Sequence, residues 1–121
     1  MKLRIKGNSI RLRLMRSELE HLQAGGSLEE VVQFSPDVRL RYTLAVADHD
    51  QPVGVSFVAN EISTRISTAQ LVTWSAEEQV GIYTVLATGL EVAIEKDFAC
   101  LDRGEDENAD AFTHPLHGAT C

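Results

Sequence analysis

The stretch KLRIKGNSIRLRLMRSELEHL (residues 2–22) contains the local signals from which the fold can be predicted. In residues 2–6 and 10–14, apolar residues alternate with lysine or arginine, as in strands with one buried face. Gly7 and Asn8 form a dipeptide that is typical of tight turns and separates the two runs. The stretch therefore predicts a β-hairpin at the start of the chain.

A short helix is predicted directly after this hairpin. Ser17 is placed to cap it, and Leu19 and Leu22 lie three residues apart on one helical face. Gly25 and Gly26 are expected to end the helix, because glycine readily adopts the conformation found after a last helical turn.

Two further strands follow the helix. Residues 28–34, LEEVVQF, and residues 38–46, VRLRYTLAV, have strand-like patterns, and the sequence SPD between them predicts a turn. The first half of the chain is therefore expected to have the element order ββαββ.

The apolar pattern of the first half recurs after 52 residues. The matching positions include Ile10 with Ile62, Leu14 with Ile66, Leu19 with Leu71, Leu22 with Trp74, and Leu40 with Val92. We therefore interpret residues 1–52 and 53–104 as two ββαββ repeats. A unit of this size buries little core alone, so the repeats are expected to interlock in one body. The predicted fold is mainly β with two short helices (α+β), a pseudo-twofold tandem swapped-hairpin barrel.

Composition indicates a globular chain without a membrane-spanning segment. The chain has 121 residues, is 44% hydrophobic and lacks a long apolar run. The N-terminus interleaves charged residues with single apolar ones, unlike a secretory signal, so we predict a cytoplasmic location. Two cysteines are too few for a disulfide framework.

Charge is unevenly distributed along the sequence. The formal net charge is -7, yet residues 1–16 carry six basic residues and no acid. Residues 77–110 carry ten acidic residues against two basic ones. Because binding of a polyanion depends on local potential, the overall acidity does not exclude it.

The predicted first hairpin would gather its cations on one face. We call these residues the basic strip: Lys2, Arg4, Lys6, Arg11 and Arg13. A two-stranded ribbon fits the major groove of duplex DNA, which makes DNA one candidate partner. Two alternatives remain open. The strip could be a solvated face whose charge blocks edge-to-edge aggregation, or the acidic C-terminal third could neutralise it.

The sequence KGNSIRLRLMRSELEHL, with GGSLEEVVQF and DVRLRYTL after it, resembles the AbrB/MazE swapped-hairpin family. The matching turn and strand-end positions are Gly7, Asn8, Ser9, Arg13 and Leu14, with Met15 where the family has proline. In the second repeat, Asn60 and Arg65 keep the polar positions. The whole chain is also similar to an uncharacterised bacterial family marked by RIKGNSIRLRL and EKDFACLDR, a likeness that implies no function.

The AbrB/MazE resemblance implies interleaved halves and a role as a DNA-binding regulator or antitoxin. It places Arg4 and Arg13 on basic positions of the family motif, and Arg65 on the corresponding position of the second repeat. Ser56 stands where the second basic residue would be, and Glu61 adds an acid beside the second turn. The nucleic-acid-binding candidates are therefore the basic strip and Arg65.

The C-terminal segment, residues 105–121, is predicted to be an acidic, extended and mobile tail. MazE-type antitoxins carry acidic extensions that wrap a toxin, so the resemblance implies a possible protein partner for this tail. The sequence leaves open whether the chain is a monomer or a homo-oligomer.

The remaining chemical candidates are few. Zinc could in principle be held by Cys100, His114, His117 and Cys121, but their spacing is irregular, and we predict no metal and no cofactor. No residue pattern places a general base next to Cys100, and no catalytic motif is present. A small enzyme is therefore the weakest hypothesis. We predict a non-enzymatic DNA-binding regulator or antitoxin-like protein. The alternative is a protein-interaction or structural module that kept the fold without DNA binding.

Overall fold

The computed structural model describes residues 1–48, 50–76, 78–98 and 110–112. Within these ranges the first half contains β1 (Lys2–Lys6), β2 (Ser9–Leu14), α1 (Arg16–Gln23), β3 (Leu28–Ser35) and β4 (Val38–Val46). The second half contains β5 (Val53–Val58), β6 (Glu61–Ile66), α2 (Thr68–Ser75), β7 (Gly81–Val85) and β8 (Glu91–Lys96). The predicted fold class, mainly β with two short helices, is confirmed.

The described strands form two four-stranded sheets, and each sheet combines one hairpin from each half. The first sheet has the order β1-β2-β8-β7, and the second has the order β3-β4-β6-β5. The pairings within hairpins are antiparallel, whereas the two central pairings, β2 with β8 and β4 with β6, are parallel. The halves of the chain therefore exchange hairpins.

The hairpin registers agree with the 52-residue repeat. Lys2 lies opposite Arg13 in the first half, and Gly54 lies opposite Arg65 in the second. The second hairpins agree in the same way, with Glu29 opposite Thr43 and Gly81 opposite Glu95.

The registers of the two parallel pairings, β2 with β8 and β4 with β6, differ by two residues. Ser9 lies opposite Glu91 in the first sheet. The repeat would then place Glu61 opposite Arg39, but Glu61 lies opposite Arg41. An offset of two preserves which side chains face the core. The division into repeats and their pseudo-twofold relation stay predictions.

The core lies between the sheets and the two helices. Leu19, Leu22, Leu71 and Trp74, all expected to be buried, are each at most 8% exposed. They pack with strand residues that include Leu12, Leu14, Leu44, Ile66 and Ile94. Full burial of such a side chain contributes about 1.5–3 kcal/mol to the free energy of unfolding, so this cluster is the main source of stability.

The start of α1 differs from the sequence-based expectation. The helix begins at Arg16, and the backbone N–H of Met15 donates to Glu18 at 2.9 Å. Ser17 is not the cap, because its position is already inside the first turn. Its backbone N–H donates instead to a carboxylate oxygen of Asp110 at 2.9 Å.

Asp110–Phe112, part of the predicted mobile tail, pack against the body of the protein. Ala111 is 5% exposed, and the Phe112 N–H donates to the Asp97 carbonyl oxygen at 2.9 Å. The rings of Phe98 and Phe112 meet edge to face, with centroids 6.1 Å apart. The described part of the segment 105–121 is therefore anchored, unlike a freely extended tail. The remainder of that segment lies outside the described residues.

The two helices of the described ranges have eight residues each, and neither has the length and apolar character to cross a membrane.

Candidate functional site

The basic strip lies on the outer face of the first sheet. In the hairpin register, Lys2 is opposite Arg13, Arg4 is opposite Arg11, and Lys6 is opposite Ser9. The alternate side chains of β2, including Leu12 and Leu14, point into the core. The expected placement of the five cations on one face is confirmed, and their role in binding stays a prediction.

Continued across the parallel β2–β8 pair, this register arranges the outer face in three rows. The first row is Lys2, Arg13, Glu95 and Gly81; the second is Arg4, Arg11, Ala93 and Tyr83; the third is Lys6, Ser9, Glu91 and Val85. Five basic and two acidic residues stand in these rows. The face is therefore positively charged on a chain whose net charge is -7.

Glu95 is the carboxylate at the centre of this charge cluster. Its Oε1 lies 3.1 Å from Nε of Arg11 and 3.3 Å from Nε of Arg13. The hydroxyl of Tyr83 donates to its Oε2 at 2.6 Å. One carboxylate thus contacts two guanidinium groups. The group of Arg11, Arg13 and Glu95 therefore keeps a net positive charge.

Tyr83 remains a hydrogen-bond donor to Glu95 at any physiological pH. Burial of its hydroxyl, assisted by the hydrogen bond and the negative charge of Glu95, raises the pKa of Tyr83 to about 12. Gly81 makes room for this contact. A Cβ atom at Gly81 would lie 3.0 Å from the Tyr83 hydroxyl oxygen and 2.8 Å from the carbonyl oxygen of Ile94.

The cations of the basic strip differ in how far they are neutralised. Lys2 Nζ lies 3.3 Å from a carboxylate oxygen of the buried Asp97. Arg4 and Lys6 are exposed and have no ion-pair partner within the described ranges. The structure thus combines internally paired and unpaired cations on one face.

A shallow cavity of about 490 Å³ opens on this face beside the unpaired cations. Its lining spans all four strands, with Arg4 and Lys6 from β1, Arg11 from β2 and Tyr83 from β7. The small side chain of Ala93 lies between Arg11 and Tyr83 in the second row, which accounts for the depression. Glu91 also lines the cavity, whose named residues include three cations and one acid.

The chain matches, over residues 1–116, the model of a family described as a family of unknown function, DUF7009. The chain belongs to this family. No curated protein and no solved structure matches the chain. The resemblance to AbrB/MazE proteins therefore stays a prediction.

Arg65, the remaining candidate residue, lies apart from the basic strip on the outer face of the second sheet. It stands between Gly54 and Ala45 in the strand register, and a Cβ atom at Gly54 would be 2.9 Å from its Nη2. Its Nε is buried and has no hydrogen-bond partner among the described residues.

The outer face of the second sheet carries three arginines, Arg39, Arg41 and Arg65, and two glutamates that lie beside Arg41. Nε of Arg41 lies 3.0 Å from a carboxylate oxygen of Glu29, and its Nη1 lies 3.8 Å from Glu61. With three basic and two acidic residues, against five basic and two acidic ones on the first sheet, this face is the less positive of the two.

Within the described ranges, no three His, Cys, Asp or Glu side chains come together as a metal site. The zinc candidates Cys100, His114, His117 and Cys121 all lie outside these ranges. The expected absence of a metal or cofactor therefore stays a prediction.

Sequence reasoning did not identify four residues of this site: Tyr83, Glu91, Ala93 and Glu95. Three of them, Glu91, Ala93 and Glu95, occupy every second position of one strand. That pattern indicates a shared face. It contains no information on which other strand lies next to it.

Proposed function

We propose that this chain is a non-enzymatic, AbrB/MazE-like DNA-binding regulator or antitoxin-like protein that contacts phosphate groups through the outer face of the first sheet. The observation that carries the proposal is the three-row arrangement, which concentrates five cations on one face of an otherwise acidic chain. Local potential of this kind attracts a polyanion irrespective of net charge.

The pairing with Glu95 is compatible with phosphate binding. Arg11 and Arg13 approach this carboxylate most closely through Nε, the inner nitrogen of each guanidinium group. A planar guanidinium offers five N–H donors in a fixed fork, so a group held at Nε can still present its outer edge. Glu95 in this account holds the two arginines on the outer face and neutralises part of their charge.

Arg4 and Lys6 are the cations whose loss should weaken binding with the least effect on folding. Both are exposed, and neither forms an ion pair within the described ranges. Exposed charges without partners contribute little to stability, so their substitution isolates the electrostatic contribution to binding.

The outer face of the second sheet is less positive, because Glu29 and Glu61 flank Arg41 there and leave three arginines against two acids. The proposed contact therefore uses one sheet. A contact through one sheet predicts a small footprint with few phosphate contacts.

An electrophoretic mobility shift titration at low ionic strength tests the proposal. We expect the parent chain to shift duplex DNA and the double variant Arg4→Gln/Lys6→Gln to bind at least tenfold more weakly. Arg39→Gln is the matched control, because Arg39 is an exposed arginine on the outer face of the second sheet. Equal binding by all three proteins, or no shift by the parent chain, would contradict the proposal.

A specific observation also favours the alternative, a protein-interaction module. β3 is an edge strand of the second sheet, and Val31, Val32, Phe34 and Val38 of the β3–β4 hairpin are between 39% and 67% exposed. An exposed apolar edge strand is a template for pairing with another chain. Under this alternative, Phe34→Ser should abolish concentration-dependent association in light scattering, whereas Val72→Ser on α2 should not.

A further inference from the structure

We infer that the cavity on the outer face of the first sheet binds one unpaired nucleotide, with its phosphate at Arg4 and Lys6 and its base against the ring of Tyr83. This inference rests on the proposed function and specifies the form of nucleic acid. A strand with unpaired bases should bind more tightly than a duplex of the same length.

The second row of the outer face places the required groups in order. Arg4 is opposite Arg11, Arg11 is opposite Ala93, and Ala93 is opposite Tyr83. Cations thus stand on one side of the depression and an aromatic ring on the other. The volume of about 490 Å³ lies within the range of roughly 300–1,000 Å³ found for small-molecule sites.

The ring of Tyr83 is exposed and its hydroxyl is fixed, so the ring can contact a base. Its hydroxyl is tied to Glu95 at 2.6 Å, while the residue as a whole is 59% exposed. Because the hydroxyl is fixed and Gly81 leaves space beside it, the ring has a defined orientation before any ligand arrives. A fixed aromatic face on a sheet, next to cations, is a platform on which bases of any identity stack.

A duplex cannot use this aromatic face without losing base pairs. Its bases are stacked inside the double helix, so its phosphates can reach the cations while Tyr83 remains uncovered. An unpaired nucleotide can contact both sides of the depression at once. The ring of Tyr83 therefore discriminates between single-stranded and duplex DNA.

Glu91 is the acid that opposes phosphate binding in this cavity. It lies opposite Ser9 in the third row, beside the phosphate-binding side of the depression. Removal of its charge by Glu91→Gln should strengthen nucleotide binding several-fold, since the lining would then carry three cations without an acid.

Fluorescence anisotropy with a labelled oligothymidylate of about ten nucleotides, a length within the roughly 4–16 nucleotides of known single-strand sites, tests the inference. Tyr83→Ala should weaken binding of this strand by about tenfold, the order expected for one lost stacking contact. Binding of a duplex of equal length should change less than twofold. Tyr83→Phe, which keeps the ring, should retain most of the affinity for the single strand.

Phe57→Ala provides a control, because Phe57 is an aromatic residue on the second sheet with 65% exposure. This variant should bind both DNA forms like the parent chain. Thermal melts of all variants check that each one is folded. The melting temperature of Tyr83→Phe measures the loss of stability that is caused only by the missing hydrogen bond to Glu95.

A competition experiment shows whether the site takes a free nucleotide or a nucleotide within a strand. If thymidine monophosphate displaces the oligothymidylate at low concentration and inorganic phosphate does not, the site takes a free nucleotide. If only longer strands compete, the nucleotide belongs to a strand. Equal affinity for single strand and duplex, with no effect of Tyr83→Ala on either, would overturn the inference. The proposed function would survive that result if Arg4→Gln/Lys6→Gln still weakened duplex binding.

Discussion

Arg13 and Glu95 lie directly opposite each other in the parallel β2–β8 pair, and Arg13 Nε donates to Glu95 Oε1 at 3.3 Å. This contact joins the first hairpin of the chain to the last. The contact therefore brings a carboxylate of the acidic second half next to the basic N-terminal hairpin within one sheet. It also leaves the charge of the basic strip only partly compensated, since Arg11 approaches the same carboxylate oxygen.

Substitution of Glu95 by glutamine should increase affinity for DNA. The change removes the negative charge between Arg11 and Arg13 and keeps a group that can still accept hydrogen bonds. We expect binding to duplex DNA to tighten several-fold and to become more dependent on salt. Because the Glu95 side chain is only 13% exposed and accepts hydrogen bonds from Tyr83 and Arg13, the substitution should also lower the free energy of unfolding, by roughly 1–3 kcal/mol.

Glu29→Gln is the matched control for this prediction. Glu29 is paired with Arg41 at 3.0 Å on the second sheet, outside the proposed contact surface. Both variants should be measured by anisotropy titration and by urea unfolding. Unchanged or weaker DNA binding by Glu95→Gln would contradict this prediction.

The contact between Asp110 and Ser17 should make the docking of the C-terminal segment sensitive to acid. Hydrogen bonds from the side chain and backbone of Ser17, with the charge of Arg16, hold the pKa of Asp110 below its usual value of 3.8. The ionised carboxylate therefore stabilises the folded state above about pH 4. That contribution is lost as the pH falls through the lowered pKa of the folded state.

Asp110→Asn should accordingly lower the melting temperature at pH 7, and the difference from the parent chain should shrink below pH 4. Asp37→Asn, in the β3–β4 turn, is the control. Melting curves followed by circular dichroism over this pH range are the measurement. A difference that stays constant through the acid range would mean that the charge of Asp110 does not stabilise the docked segment.

Trp74 should be the most sensitive position in α2. Its side chain is 1% exposed, and its indole N–H points to the Val80 carbonyl oxygen at 3.4 Å. Trp74→Ala should reduce the free energy of unfolding by roughly 3–5 kcal/mol, because it leaves a cavity in the core.

Val72→Ala, on the same helix, should change the free energy of unfolding by about 0.5 kcal/mol or less, since Val72 is 66% exposed. Chemical denaturation of both variants compares the two faces of α2. Similar losses for Trp74→Ala and Val72→Ala would be inconsistent with the packing described above.

The local structure could be predicted because each signal depends on residues that are close in sequence. The alternation in residues 2–6 and 10–14, with Gly7 between them, predicts β1, β2 and their turn, and Gly7 indeed has a φ of +54°. The bounds of β4, Val38–Val46, agree with the apolar pattern in the same way.

The site could be predicted only in part, because its second half depends on contacts between distant segments. Alternation places Glu95 and Ala93 on one face of β8, but only the parallel pairing brings that face next to Arg11 and Arg13. The role of Ser17 was missed for the same reason, since its partner Asp110 is 93 residues away.

The dependence of duplex affinity on salt tests the central claim most directly. If the basic strip contacts phosphates, a plot of log K against log salt concentration for the parent chain should fall with a slope of about −0.9 for each phosphate contact. For Arg4→Gln/Lys6→Gln we expect this slope to become shallower by about 2, with an unchanged melting temperature. A parent chain that binds no duplex at low salt, or a slope that the double substitution leaves unchanged, would contradict the account.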